Sequence, residues 1–426
     1  MCRILSCTSL YIHMKNYFAL FTFLLLAYSF PIFAQKANIQ TGADLLIKEN
    51  LNLLKNKNIG IITNHTAVLN NGIHLVDSLH HIKDINIIAL FGPEHGIRGT
   101  EPAGKQVDNS IDEATGIPSY SLYGKNKKPT AEMLKDINLL IFDIQDVGAR
   151  FYTYISTLFY CIQAAAENNI PIIILDRPNP IGGIYVEGPI RKDDVNSFVG
   201  IAPIPIAHGM TIGELAKMFA GEKWIGKDLR LDLKIIQLNN WRKKNYFDDY
   251  NLPWVSPSPN ISDLQTALVY PGTCLVEGIN VSEGRGTNAP FLTIGAPYIS
   301  SDKLISEINK LNLKGVNLSS IKFTPEDIKG KASNPKYKGI ECNGISIQIK
   351  DRKKFDAVKF GISLVYAINK LYPNDLKFRD GFDLLVGDKK IKEMILKGEN
   401  PDAITRYWSN ELSKFKNLRK KYLLYN

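Results

Sequence analysis

Glu94 and His95 stand side by side in the stretch IALFGPEHGIRG (88–99). A carboxyl group and an imidazole in contact are the usual material of general acid–base catalysis. Gly92-Pro93 ends the apolar run before them and Gly96 follows, so the pair rides on a sharply bent backbone. A loop chosen only for turning has no need of an acid and a base at its tip. Three other stretches carry comparable groups. TNH holds Asn64 and His65, FDIQDVGAR holds Asp143, Asp146 and Arg150, and LDRPNP holds Asp176, Arg177 and Asn179. Further on, His208 lies in AHGM, and Glu283 and Arg285 in VSEGRGT. Paired carboxyls suit proton transfer, and arginine forks suit an anionic ligand group. Each residue also has a plain structural use. Asn64 and one of the two aspartates can cap helices, the histidines can be satisfied core residues, and each arginine can pair with a neighbouring acid.

These groups have to be positioned, and the elements around them suggest how. The runs at 58–64, 85–91, 137–143 and 170–176 are unbroken Ile/Leu-rich segments, the pattern of strands buried on both faces of a parallel sheet. Residues 153–168 read as a helix between the last two runs, which makes a strand–helix–strand unit. Each of the four runs ends in one of the polar clusters. In a parallel sheet those ends share one edge, outside which ligands of open α/β sheets bind. Residues 210–222 read as a helix with Thr211 as N-cap and Glu214 three residues on, and 355–373 as an amphipathic helix. Pro, Ser and Asn concentrate around 240–262, where a connection is expected. The expected division is an α/β domain with a mostly parallel sheet over 40–258 and a smaller domain mixing helices and strands over 259–426.

The chain of 426 residues, 45% hydrophobic, can bury a substantial core. Its formal charge of +10 comes from scattered lysines, with no zinc-finger spacing or RNA-binding signature, so no nucleic-acid partner is expected. Neither G-x-G-x-x-G after a first strand nor a P-loop is present, and no nucleotide cofactor is expected. No H-E-x-x-H spacing supports a metal and no G-x-S-x-G elbow supports a serine triad. Residues 1–34 read as a secretory leader with its true start at Met14, and a membrane is involved only if that leader stays uncleaved. Past it, Cys161, Cys274 and Cys342 are too few and too scattered for a disulfide framework and read as buried small hydrophobes.

The motifs LFGPEHGIRG, FDIQDVGARFYTYIST, LDRPNPIGG, HGMTIGELA, SPSPNI, YPGTCLVEGINVSEGRGT and PFLTIGAP together resemble the exo-β-N-acetylmuramidase family of NamZ type, in order and over most of the chain past the leader. The resemblance implies a Rossmann-like N-terminal domain, a smaller α+β C-terminal domain and an active-site cleft between them. It also implies removal of terminal N-acetylmuramic acid (MurNAc) from the non-reducing end of peptidoglycan fragments, without a cofactor, by an exported, periplasmic protein. Glycoside hydrolysis commonly needs one protonated carboxyl and a second group as base or nucleophile. Glu94 is the expected acid, with His95 beside it to orient it or touch the sugar. Asp143, Asp146 and Glu283 are open choices for the second group, as is attack by the sugar's own acetamido group. Arg150, Arg177 or Arg285 would meet the lactyl carboxylate. Asn64, Tyr152, Asn179 and His208 would line the sugar, and Tyr154 and Trp254 could stack on it. Two other readings stay open: a non-catalytic muropeptide-binding protein, and a metal-dependent amidase acting on the peptide stem.

Overall fold

All four unbroken apolar runs are strands. In the computed structural model, which describes residues 36–94, 96–99 and 109–426, they are β1 (Asn58–Thr63), β2 (Asn86–Gly92), β5 (Leu139–Asp143) and β6 (Ile172–Leu175). The expected leader lies outside the described residues. Three short strands escape the apolar pattern: β3 (Ser110–Ile111), β4 (Pro118–Ser121) and β7 (Leu233–Ile236). The seven form one sheet in the order β3-β4-β2-β1-β5-β6-β7. Every neighbouring pair is parallel except β3 with β4. Thr63 is opposite Asp143, Ile62 opposite Phe91 and Phe142 opposite Ile174, so the polar strand ends do fall along one edge.

Alternation along the strands explains why the runs are unbroken. Ile59, Ile61, Leu139, Ile141, Ile173 and Leu175 point into one core, beneath α1 (Gly42–Glu49) and α2 (Leu75–His80). Ile62, Leu140, Phe142, Ile172 and Ile174 point into the other, larger core. Successive side chains of a strand face opposite ways, and both faces here are dry, so every position is apolar. On the larger core lie α3 (Tyr154–Glu167), buried on nearly all sides, and α4 (Ile212–Gly221). The latter opens with the capping box that its Thr-x-x-Glu spacing predicts: the Thr211 hydroxyl accepts from the Glu214 N–H at 3.2 Å, and Glu214 accepts from the Thr211 N–H at 3.0 Å.

The smaller C-terminal part is α+β. A three-stranded antiparallel sheet, β8 (Thr293–Ala296), β10 (Cys342–Ile349) and β9 (Val316–Phe323) in that order, packs with α6 (Ser301–Asn309). Beside it α5 (Leu264–Thr273) crosses α7 (Ala357–Leu371). The crossing is close because it runs over Gly272 and Gly361. A Cβ on Gly272 would stand 1.8 Å from the Ala357 carbonyl oxygen. The expected amphipathic helix at 355–373 is α7, but Phe360 to Ile368 are all buried, because other elements cover its polar side as well. Four short helices finish the chain: α8 (Gly381–Val386), α9 (Lys389–Leu396), α10 (Pro401–Tyr407) and α11 (Ser409–Leu418).

The last residues return to the first sheet. Arg419 donates to the carbonyls of Gly209 (2.7 Å) and Gly183 (3.2 Å). The Leu424 N–H donates to Glu214 at 2.8 Å, and the Tyr425 hydroxyl donates to Asp176 at 2.5 Å.

Candidate active site

The loop after β2 delivers Glu94. Its turn closes through the Gly96 N–H donating to Pro93 O at 3.0 Å, with Gly96 at φ 71°. Gly99, at φ 72°, lies on the ring of His65, so close that a Cβ would stand 2.4 Å from it. His65 in turn bonds Ser256 O at 2.8 Å. The imidazole at the first strand tip thus braces the acid loop against the segment 253–258. His95 lies outside the described residues.

Glu94 lines a cavity of about 190 Å³. The Thr153 hydroxyl lies 3.5 Å from its Oε2, and Tyr123 shares a hydrogen bond with it. Tyr152 and Tyr154, from the start of α3, form the same wall with ring centroids 4.8 Å apart and edge to face. Burial, and after it the charge of Glu94, raises the Tyr123 and Tyr154 hydroxyls above the ordinary phenol range; burial dominates for Tyr152 too. These phenols therefore stay protonated and polar at neutral pH. Tyr154 uses its proton on Pro257 O at 2.7 Å.

The C-terminal part also contributes to the lining, with Tyr270 and Cys274 at the end of α5, then Glu277, Arg285 and Phe291. Arg285 donates to Glu277 Oε1 through Nε (3.0 Å) and Nη2 (2.7 Å). The Cys274 thiol is buried, and burial followed by the charge of Glu277 raises its pKa well above the ordinary value. All three described cysteines are free and buried.

Of the candidate site residues singled out from the sequence that the structure describes, Glu94, Tyr152, Tyr154 and Arg285 meet in this cavity. Asp143 is fully buried and held by Arg177, Nε to Oδ1 at 2.5 Å and Nη2 to Oδ2 at 2.9 Å, while both Nη atoms also reach Val68 O. Asp146 accepts from the Gly148 N–H at 2.8 Å and lies 3.5 Å from His208 Nε2. Asn64 accepts from Thr66 N and Oγ1, and Asn179 ties the Met210 carbonyl to the Ile181 N–H. Arg150 is buried among carbonyls, donating to Pro189 O, Ile204 O and Leu385 O at 2.7–3.0 Å. Burial and neighbouring Arg191 lower its pKa to about 9, which still leaves a cation at neutral pH, at the C-terminus of α8 where a positive charge is favoured. Glu283 is buried between Lys336 (3.0 Å) and Arg285 (3.4 Å). Trp254 packs edge to face on Phe247. Among the described residues no group of three or more His, Cys, Asp or Glu could hold a metal ion.

Two family models match the chain, "Exo-beta-N-acetylmuramidase NamZ, N-terminal" over residues 59–265 and its C-terminal counterpart over 268–425. The chain belongs to the NamZ family of exo-β-N-acetylmuramidases. A relative in Bacillus subtilis (strain 168), a peptidoglycan β-N-acetylmuramidase NamZ, is 48% identical over 394 residues, 92% of each chain. Crystal structures of two DUF1343 family proteins from Bacteroides fragilis, each 36% identical, superpose with TM-scores of 0.83 and 0.74, covering 91% and 92% of this chain and 99% of theirs. Family membership makes the protein a glycoside hydrolase, an exo-muramidase acting on peptidoglycan fragments. Glu277, Tyr123 and Tyr270 in the cavity of this NamZ family member were not singled out from the sequence. Glu277 stands in the motif YPGTCLVEGINVSEGRGT, where Glu283 had drawn attention as the acid of the Gly-rich segment.

Proposed function

We propose that the cavity at Glu94 receives the terminal MurNAc of a peptidoglycan fragment and that Glu94 protonates the leaving glycosidic oxygen. The observation that carries this reading is the position of Glu94, a half-buried carboxyl at a parallel-strand tip inside a cavity walled by phenols. A general acid must stand close to the bond that breaks, and a carboxyl lining an enclosed cavity can do so. The cavity is smaller than the roughly 300–1,000 Å³ of common ligand sites, which suits one terminal sugar better than a run of glycan. The strand order, with β1 between β2 and β5, supports the reading of a Rossmann-like sheet, whose ligands sit outside the carboxyl edge. Walls drawn from both parts of the chain support a cleft between an N-terminal catalytic domain and a C-terminal domain. Arg285, with 25% of its side chain exposed, is the cation available to the lactyl carboxylate. The leader pattern supports a periplasmic location, which fractionation of expressing cells checks.

Turnover of a MurNAc-containing disaccharide, whose leaving sugar must be protonated, tests the reading. Glu94→Gln lowers kcat by about 10²–10⁴-fold with the thermal midpoint unchanged, and chelator has no effect on the native protein. Near-normal turnover in the variant removes Glu94 as the acid. Loss of native activity in chelator favours a metal-dependent hydrolase instead.

A further inference from the structure

We infer that Glu277 is the second catalytic carboxylate of this site, the group that takes the proton from the attacking nucleophile. The inference rests on the reading of Glu94 as the acid.

Four observations converge on Glu277. It lines the same cavity as Glu94. Glu94 acts electrostatically on Tyr152 and Glu277 on Tyr270, and those two rings are 6.0 Å apart, so a short aromatic floor joins the two acids. Arg285 binds Glu277 Oε1 with two N–H groups, and Oε2 accepts from the Cys274 thiol at 3.6 Å. One oxygen is thus anchored by a cation, while the other has a weak thiol donor that an incoming nucleophile can replace. The fourth observation concerns the backbone. Lys336 Nζ lies 2.9–3.3 Å from the carbonyl oxygens of Val276, Glu277, Ile279 and Val281, and 3.0 Å from Glu283. A single ammonium group gathers the whole turn that carries Glu277 and fixes where its side chain begins.

The surroundings also divide the labour between the two acids. Glu277 pairs with a guanidinium whose own pKa is held above its ordinary range: burial opposes the charge, and Glu277 and Glu283 more than offset it. With two guanidinium N–H groups on one oxygen, Glu277 is placed as an acceptor rather than as a donor. Glu94 has hydroxyl neighbours, Thr153 and Tyr123. Cys274 does not compete as a nucleophile, because its buried thiol keeps its proton. In the step itself the C1–O bond to the leaving sugar breaks, and its electron pair goes to the oxygen that Glu94 protonates. A new C1–O bond forms from water, or from the acetamido oxygen of the same MurNAc. Glu277 takes the proton that the nucleophile, or the acetamido N–H, gives up. Arg285 and Lys336 are positioning residues.

Leaving-group dependence separates the two acids. Turnover of Glu277→Gln and Glu94→Gln is compared on a nitrophenyl MurNAc glycoside, whose leaving group needs little protonation, and on a MurNAc-containing disaccharide, whose leaving group needs it. Glu277→Gln loses about 10²–10⁴-fold on both substrates, the range of general-base catalysis. Glu94→Gln loses that much on the disaccharide and far less on the nitrophenyl glycoside. Glutamine keeps an oxygen for Arg285, and an unchanged thermal midpoint checks the fold. Activity of Glu277→Gln within about tenfold of native on both substrates, or a loss that shrinks with the better leaving group, overturns the assignment. A covalent glycosyl adduct on Glu277 in peptide mapping also overturns it, since the group would then be a nucleophile. If Glu94→Gln shows no leaving-group dependence, the parent reading fails, whatever Glu277→Gln does.

Discussion

Replacing Arg177 by methionine decides whether the charges at the β5 and β6 tips hold the fold or touch the sugar. Asp143 is fully buried and accepts two hydrogen bonds from Arg177. Removing the guanidinium strands a carboxylate in the core, and breaking a buried pair in this way costs about 3–5 kcal/mol. The Val68 carbonyl loses its donors too, which adds about 1–3 kcal/mol if no water replaces them. The sum is a large share of the roughly 5–15 kcal/mol that holds a domain folded, so Arg177→Met is expected to lower the guanidinium midpoint severely. The double variant Asp143→Asn with Arg177→Met removes the stranded charge, and it should recover about 2 kcal/mol or more of that loss, since the neutral amide carries only the cost of a polar group. Guanidinium unfolding followed by tryptophan fluorescence reads both, with turnover measured on the folded fraction. If Arg177→Met stays within about 1 kcal/mol of native and still loses turnover, the pair is not structural, and Arg177 returns as a candidate for the lactyl carboxylate.

Two further outcomes follow from the same structure. Lys336→Met leaves Glu283 without its ammonium partner and frees four carbonyls, so both the thermal midpoint and kcat should fall. An unchanged kcat on folded protein would show that the turn bearing Glu277 holds its shape without that cation. Burial raises Asp176 to about 6 and Glu214 to about 7. A carboxyl raised by folding stabilises fully below its unfolded pKa, near 4, and loses that contribution as pH rises through the folded value. The stability difference between native protein and Asp176→Asn/Glu214→Gln should therefore change between pH 4 and 7, in the direction that favours native protein at the acid end. A difference that is flat with pH refutes it.

The sheet was legible in the sequence because both of its faces are dry: four unbroken apolar runs left little choice but buried parallel strands. The helix at Thr211 was legible because its cap is local chemistry. Strands β3, β4 and β7 were not, since strands at or next to the ends of the sheet are short and partly exposed, and PSYS (118–121) reads like loop. The site divided along the same line. Glu94 announced itself by an awkward bend. Asp143 and Arg177 looked equally chemical, and only the tertiary pairing across 34 residues of sequence reveals them as each other's partner. Glu277 could not be found by spacing, because what brings it to Glu94 is the packing of the C-terminal part, and no periodicity encodes that.

The return of the last residues to the first sheet sets an order of events. Asp176 is synthesised 249 residues before the tyrosine whose hydroxyl it accepts, and Glu214 is 210 residues ahead of the Leu424 N–H. Until those late residues arrive, each of two buried carboxyl groups lacks one of its donors, and the N-terminal sheet cannot reach its final packing by itself. Contacts of such long sequence separation are slow to form, because the chain must close a large loop before gaining from them. The two family regions are therefore two stretches of one closing event, and the enzyme is complete only when its final turn of chain has docked.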